Sequence, residues 1–168
     1  QLVRRIFKND HIRLCNPYGP AEVTINSHAH VVKLQDATAP SVPIGIALPN
    51  TTGFVLDHRP IASRFQTLSS QTVPCPRQQS VPTGVAGELY LGGPKVARGY
   101  IGRPDLTDQV FAHLASLPDA GRLYKTGDRV RWLADGNVDF LGRMDFQMKL
   151  NGQRVEAGEI EAVLRQAE

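Results

Sequence analysis

Tyr18 and Glu22 stand in the stretch NPYGPAE, residues 16 to 22, and are the first groups along the chain that could do chemistry together. An aromatic face can stack on a flat ring, and a fixed carboxylate can hold a hard cation. Pro17 and Pro20 fix φ and turn the residues before them away from helix, while Gly19 permits backbone geometries that other residues avoid. The stretch therefore reads as a stiff, irregular loop, not helical and poorly suited to a central strand. A plain surface turn uses the same residue types.

Three further stretches carry candidate groups. YKTGD, 124 to 128, ends a strand on Asp128, whose carboxylate could accept bonds from vicinal hydroxyls such as those of a ribose; a capped turn would also place Asp and Gly there. GRMD, 142 to 145, follows a strand and offers the rigid donor fork of Arg143 to phosphate or ribose oxygens, or to Asp145 beside it. GELYLGGPKVARGYIGRPDLT, 87 to 107, clusters glycines without the GxxxxGK[ST] spacing of a phosphate-cradling loop, and reads as tight turns between strands.

The elements that must position these groups are mostly short strands. HIRLCNPYGPAE suggests a short strand running into the loop, and VTINSHAHVV, 23 to 32, a helical turn or strand followed by a strand. Turn residues from 43 feed a strand at 53 to 57, and GELYLGG, 87 to 93, is a strand closed by glycines. Residues 58 to 83 are rich in Ser, Gln and Pro and read as a long, mobile loop. PDLTDQVFAHL, 104 to 114, opens on Pro with acids in its first turn and predicts a short helix. RLYKTGDRVRWLADGNVDFLGR, 122 to 143, predicts a hairpin about ADGN. FQMKLNGQRVEAGEIEAVL, 146 to 164, predicts a second hairpin about NG and then an amphipathic helix. The sheets are expected to be antiparallel.

The 168 residues, 41% hydrophobic and 21% charged, suit a globular chain with its own core. A net charge of +3 with scattered basic residues argues against a nucleic-acid footprint. No apolar run spans a bilayer and no secretory signal stands at the start, so a cytoplasmic protein without membrane contact is expected. Cys15 and Cys75 form no CxxC pair and indicate neither zinc nor a disulfide framework. An opening without Met and a close inside a helical pattern suggest a piece of a longer chain.

In their order and spacing, NPYGPAE, GELYLGGPKVARGY, YKTGD and GRMDFQMKLNGQRVEAGEIE resemble the core motifs of adenylate-forming enzymes. They most resemble the amino-acid-activating adenylation (AMP-binding) domain of nonribosomal peptide synthetases. The resemblance covers nearly the whole chain except 58 to 83. It implies an α+β fold: the β-rich C-terminal part of the adenylation core over residues 1–144, with short sheets, a distorted β-barrel and a few helices. The first hairpin and helix of the small C-terminal lid would follow over 145–168. It implies activation of an amino acid by ATP with Mg²⁺, and transfer to the phosphopantetheine thiol of a carrier. Carrier and condensation domains would lie in the same longer chain.

By the same resemblance, Tyr18 would stack on adenine beside Gly19, Asn16 would bond the amino edge of the base, and Glu22 would hold Mg²⁺. Asp128 would bind the ribose hydroxyls, Arg143 the ribose or phosphate, and Phe140, where a tyrosine is frequent, would pack near the ribose. Pro17, Ile25 and Asn26 would line the amino-acid pocket, Asp145 would be the hinge, and Lys149 and Gly152 would belong to the lid face. The phosphate loop and the catalytic lysine are expected outside this chain. Ala21 replaces the usual Thr before the metal-binding Glu, Lys95 stands where glycine is common, and Asn151 where arginine is common. Two alternatives remain at this point: an acyl-CoA synthetase or luciferase-like ligase, and a non-catalytic β-rich binding module. The Asn and second Pro of NPYGPAE and the Gln-x-Lys of DFQMKLNGQRVE favour the peptide synthetase over the first. A downstream carrier site with a modifiable serine would separate it from the second.

Overall fold

A computed structural model describes residues 13–57, 65–68, 71–74, 79–145, 148–150 and 153–155. The strands are β1 (Cys15–Tyr18), β2 (His28–Val31), β3 (Ile46–Ala47), β4 (Thr52–Leu56), β5 (Phe65–Leu68), β6 (Gln71–Pro74), β7 (Ala86–Gly92), β8 (Phe111–His113), β9 (Arg122–Trp132), β10 (Val138–Arg143), β11 (Met148–Leu150) and β12 (Gln153–Val155). Among the described residues one α-helix, α1 (Pro104–Val110), precedes β8.

The central sheet runs β10-β9-β7-β4, all antiparallel, with β8 also paired to β9. Successive side chains of a strand point to opposite faces. Val55, Leu89, Leu91, Tyr124 and Val130 therefore pack on one face with Val23, Phe111 and Val138. Leu56, Tyr90 and Leu123 pack on the other with Leu114. Six of the seven residues of β7 are buried because both faces of this strand are covered.

A smaller sheet, β1-β2-β3, is tied to the central one where the chain bends before β3. Ile44 N–H donates to the Val138 carbonyl at 2.9 Å, and Val138 N–H to that of Gly45 at 2.9 Å. Gly45 has φ 92°, and a Cβ on it would fall 1.9 Å from the Ala29 carbonyl oxygen. This contact lays β1 beside the β9–β10 hairpin.

The hairpins predicted about ADGN and NG are both present, as β9–β10 and β11–β12. Other expectations need correction. NPYGPAE is not wholly a loop: its first half is the edge strand β1, and Ala21–Val23 form a 3-10 turn. An edge strand tolerates Pro17, since a missing N–H costs nothing on an unpaired side. Within 58 to 83, β5 and β6 pair as a hairpin, so the segment is not simply a loop. Phe65, Thr67, Thr72 and Val73 are strand formers whose local signal the surrounding Ser, Gln and Pro obscured. The helix predicted for 104 to 114 stops at Val110. Phe111 is extended because its ring is drawn into the core between Tyr100, 5.8 Å away, and Tyr124, 5.2 Å away. The sheets are open, so no barrel is closed among the described residues. The helix expected after 155 lies outside them.

Candidate functional site

The junction of the two sheets encloses a cavity of about 810 Å³. Period-two geometry brings Tyr124, Thr126 and Asp128 of β9 to it on one strand face. β1 and the turn after it contribute Asn16 through Glu22, Ser41, Val42 and Ile44 form a third wall, and β10 supplies Phe140, Gly142 and Arg143.

The β9–β10 register slips between Phe140 and Gly142, and beyond this bulge Arg143 stands opposite Asp128. A bulge turns the following side chains by a residue's width. Here it brings Arg143 Nη1 to 3.0 Å from Asp128 Oδ1 and 2.7 Å from the Thr126 carbonyl. Arg143 Nε also donates to Asp145 Oδ1 at 2.8 Å, and Nη2 donates to Oδ2 of the same carboxylate. Burial works against the guanidinium charge, but Asp145 and Asp128 outweigh it and raise its pKa above the ordinary value.

From the other side, the Tyr18 hydroxyl donates to Asp128 Oδ2. Burial, reinforced by the Asp128 charge, raises the phenol well above its usual pKa, so Tyr18 is a neutral donor. Its ring stands edge-on to His28, with centroids 6.1 Å apart. His28 is fully buried, and that burial lowers its pKa to about 4, so it is neutral there. Asp128 is 7% exposed and receives one donor on each oxygen from within the protein. A carboxylate has room for about four acceptor contacts, so capacity remains on the cavity side.

Gly19 is required for a steric reason, because a Cβ there would lie 2.3 Å from the Ile25 carbonyl oxygen and 2.6 Å from Ser27 N. Asn16 Nδ2 donates to the Pro43 carbonyl at 2.9 Å, so its amide group is turned with the nitrogen toward Pro43. Glu22 is 7% exposed on the cavity wall and accepts from the Tyr100 hydroxyl. Thr24 and Ile25 follow with positive φ, 54° and 68°. Ile25 is 70% exposed, and neither it nor Asn26 lines the cavity, whereas Pro17 does. Lys149 is in β11, and Gly152 lies outside the described residues. No cluster of three metal-ligating side chains occurs among the described residues.

Sequence reasoning missed Tyr124 and Thr126, although their alternation with Asp128 could have revealed them. It also missed Tyr100 and Glu88. Glu88, 4% exposed on β7, accepts from Gly127 N–H at 3.1 Å next to a register slip in the β7–β9 pairing. Burial raises the Glu88 carboxyl above its ordinary pKa, against the pull of Lys125 at 4.0 Å. The folded chain thus holds this proton more tightly than the unfolded one. The associated stability is complete below the ordinary carboxyl range and falls as pH rises through the elevated folded value. Glu88→Gln keeps an acceptor for Gly127 and removes the ionisation. Its thermal midpoint should drop less than wild type between about pH 5 and about pH 8. Parallel midpoints would contradict the buried-acid account.

No family model matches the chain. It is 43% identical over 156 residues to Surfactin synthase subunit 1 of Bacillus subtilis (strain 168), spanning 92% of this chain and 4% of that protein. It is 42% identical over 154 residues to a dimodular nonribosomal peptide synthase of the same organism, spanning 92% of this chain and 6% of that protein. Among solved structures, it superposes with a TM-score of 0.77 and 31% identity on a nonribosomal peptide synthetase protein containing adenylation and PCP domains. That match covers 98% of this chain and 30% of the other. A four-domain nonribosomal peptide synthetase bound to AMP and glycine gives a TM-score of 0.63 and 43% identity, covering 92% of this chain and 10% of the other. The fold is that of the β-rich C-terminal portion of an adenylation domain. Over nearly its whole length the chain is thus similar to a short part of nonribosomal peptide synthetases.

Proposed function

We propose that the chain forms the nucleoside side of an amino-acid-activating adenylation site. In the full reaction an amino-acid carboxylate oxygen bonds to the α-phosphorus of ATP, the bond to the bridging oxygen breaks, and pyrophosphate leaves. The aminoacyl group then passes to the phosphopantetheine thiol of a carrier domain, and AMP is released. The observation that carries this reading is the convergence of Tyr18, Asp128 and Arg143, from three separate strands, on a cavity of about 810 Å³. That volume lies within the range of small-ligand pockets, roughly 300–1,000 Å³.

In this reading the Tyr18 ring stacks on adenine and the Asn16 amide oxygen accepts from its amino group. Gly19 lets the backbone approach the base, and Asp128 accepts from the ribose hydroxyls. Phe140, 37% exposed, covers the sugar, and Arg143 faces the ribose or α-phosphate. Because Arg143, Tyr18 and Asp128 already hold one another, little reorganisation is needed when charge develops. A single buried carboxylate suits Mg²⁺, which binds through one or two carboxylates plus substrate phosphates. Glu22 would be that ligand, and the ion would neutralise phosphate charge. The phosphate loop and the catalytic lysine are left to residues outside these 168.

Pro17, which lines the cavity, would run along the substrate side chain, and Ile25 and Asn26, which do not line it, would reach that side chain only in a pocket completed by other residues. The left-handed backbone at Thr24 and Ile25 supports a fixed presentation of that turn. Asp145 would be the hinge, with residues 1–144 as core and 145–168 as the start of a lid bearing Lys149 and Gly152. Carrier and condensation domains in the same chain and a cytoplasmic setting complete the proposal. No helix among the described residues is long and apolar enough to cross a membrane. The test is pyrophosphate exchange by the full-length gene product with each amino acid in turn. Exchange above background with one or a few amino acids is expected. Folded protein that binds nucleotide but exchanges with none would contradict the reading.

A further inference from the structure

Where the pairing of β7 with β9 passes from Glu88 opposite Arg129 to Tyr90 opposite Lys125, three residues of β9, Thr126, Gly127 and Asp128, stand against Leu89 alone. Side chains take the place of ladder bonds in this bulge, since buried N–H and C=O groups need partners. The Thr126 hydroxyl donates to the Leu89 carbonyl at 2.8 Å and accepts from Asp128 N–H at 3.0 Å. Glu88 Oε1 accepts from Gly127 N–H at 3.1 Å. Its other oxygen, Oε2, stands 3.5 Å from the Tyr90 hydroxyl and 4.0 Å from Lys125 Nζ. The carbonyl of the same peptide unit, that of Thr126, accepts from Arg143 Nη1 at 2.7 Å. One planar group is thus held at its N–H by Glu88 and at its C=O by Arg143. Arg143 lines the cavity and Glu88 does not.

We propose that Glu88 is the positioning residue for Asp128: by holding Gly127 N–H it fixes the Thr126–Gly127 peptide, and with it the backbone that carries Asp128 into the cavity wall. The inference rests on the reading of Asp128 as the acceptor of the ribose hydroxyls. Gly127 cannot fix the plane itself. Its φ is 72°, and a Cβ there would fall 2.9 Å from Arg143 Nη2 and 3.1 Å from Asp145 Oδ2, so the position requires glycine. Glycine in turn lets the plane rotate at little steric cost. Rotation would withdraw the Thr126 carbonyl from Arg143 Nη1, the same nitrogen that stands 3.0 Å from Asp128 Oδ1. The Asp128 carboxylate therefore feels the plane twice, through the chain and through the guanidinium. A buried carboxylate outside the cavity supplies the fixed acceptor that keeps this arrangement ready before nucleotide enters.

The experiment titrates the full-length protein with AMP and with its 2′,3′-dideoxy analogue. Wild type should bind AMP roughly tenfold or more tightly than the analogue. Glu88→Gln keeps an acceptor for Gly127 N–H at the same reach and should keep that preference to within about twofold. Glu88→Leu fills similar space without an acceptor. Its AMP affinity should fall about tenfold, and its preference for the ribose hydroxyls should shrink to about twofold or less. Glu88→Asp keeps the charge but stops one carbon short of the peptide, and should behave as Glu88→Leu; it gives a second reading if the leucine variant does not fold. Val130→Ala, a truncation in the core of the same sheet, should lower the thermal midpoint with the preference intact, so lost stability alone does not imitate the effect. If folded Glu88→Leu or Glu88→Asp keeps the wild-type preference, Glu88 does not position Asp128. A loss in Glu88→Gln equal to that in Glu88→Leu would also overturn the proposal, because the acceptor would then not be what matters. If wild type itself shows no preference for AMP over the dideoxy analogue, the reading of Asp128 as ribose acceptor fails, and this inference with it.

Discussion

Asp128→Ala should raise the KM for ATP by roughly tenfold to a hundredfold in the full-length protein, because a charged acceptor lost from a binding site costs about 1.5–3 kcal/mol. The effect is expected to be large because three roles end together. In the proposed site the ribose hydroxyls would lose their acceptor, while the Tyr18 hydroxyl loses the carboxylate it donates to and Arg143 loses one of the carboxylates it touches. Arg143 keeps Asp145 and the Thr126 carbonyl, so the guanidinium is not stranded and the fold should survive. Val130→Ala on the same strand serves as the control. Val130 is fully buried in the core and away from the cavity, so its truncation should cost about 1–3 kcal/mol of stability and leave the KM for ATP alone. Comparable KM effects from the two variants would remove Asp128 from the nucleotide site.

Of the two glycines that line the cavity, Gly19 and Gly142, Gly19→Ala should be the more damaging single-methyl change. The added carbon would meet backbone atoms, not the yielding end of a side chain: Ile25 O at 2.3 Å, Ser27 N at 2.6 Å and Asn26 Cα at 2.8 Å. Ser27 N–H donates to the Tyr18 carbonyl at 2.8 Å, so relief of the clash must pull apart the contact that sets the position of Tyr18. Overpacking of this kind costs about 1–3 kcal/mol or more. A drop in thermal midpoint with loss of AMP affinity is expected. Gly136→Ala tests the other reason for glycine. Its φ is 81° but no atom lies within 4 Å of the added carbon, so only backbone strain of about 1 kcal/mol applies and AMP affinity should not change. Equal behaviour of the two variants would show that close approach at Gly19 is unimportant.

What was legible from sequence was local. The β9–β10 hairpin announced itself by alternation on both sides of ADGN, and the NG turn did the same for β11–β12. The order of motifs pointed to the family, and the similar proteins and solved structures are peptide synthetases, as the Asn and second Pro of NPYGPAE suggested. What escaped depended on distant parts of the chain. Phe111 left helix for strand because the core claimed its ring, and Ile46–Ala47 became a strand because β2 was there to pair with it. Tyr18 meets Asp128 across 110 residues and Tyr100 meets Glu22 across 78, separations that no window along the sequence spans. The bulge at Phe140 to Gly142 was equally invisible, yet it aims Arg143 at Asp128.

The central claim, that Asp128 on this cavity accepts the ribose hydroxyls, is tested most directly by a two-by-two comparison of AMP affinity in the full-length protein. Wild type and Asp128→Ala are each titrated with AMP and with its 2′,3′-dideoxy analogue. Removing the hydroxyls should cost the wild type roughly tenfold or more. It should cost the variant almost nothing, so that the two losses fail to add, as they must when the groups touch. Losses that add, with the dideoxy analogue penalised as heavily in Asp128→Ala as in wild type, would place the ribose elsewhere and contradict the account.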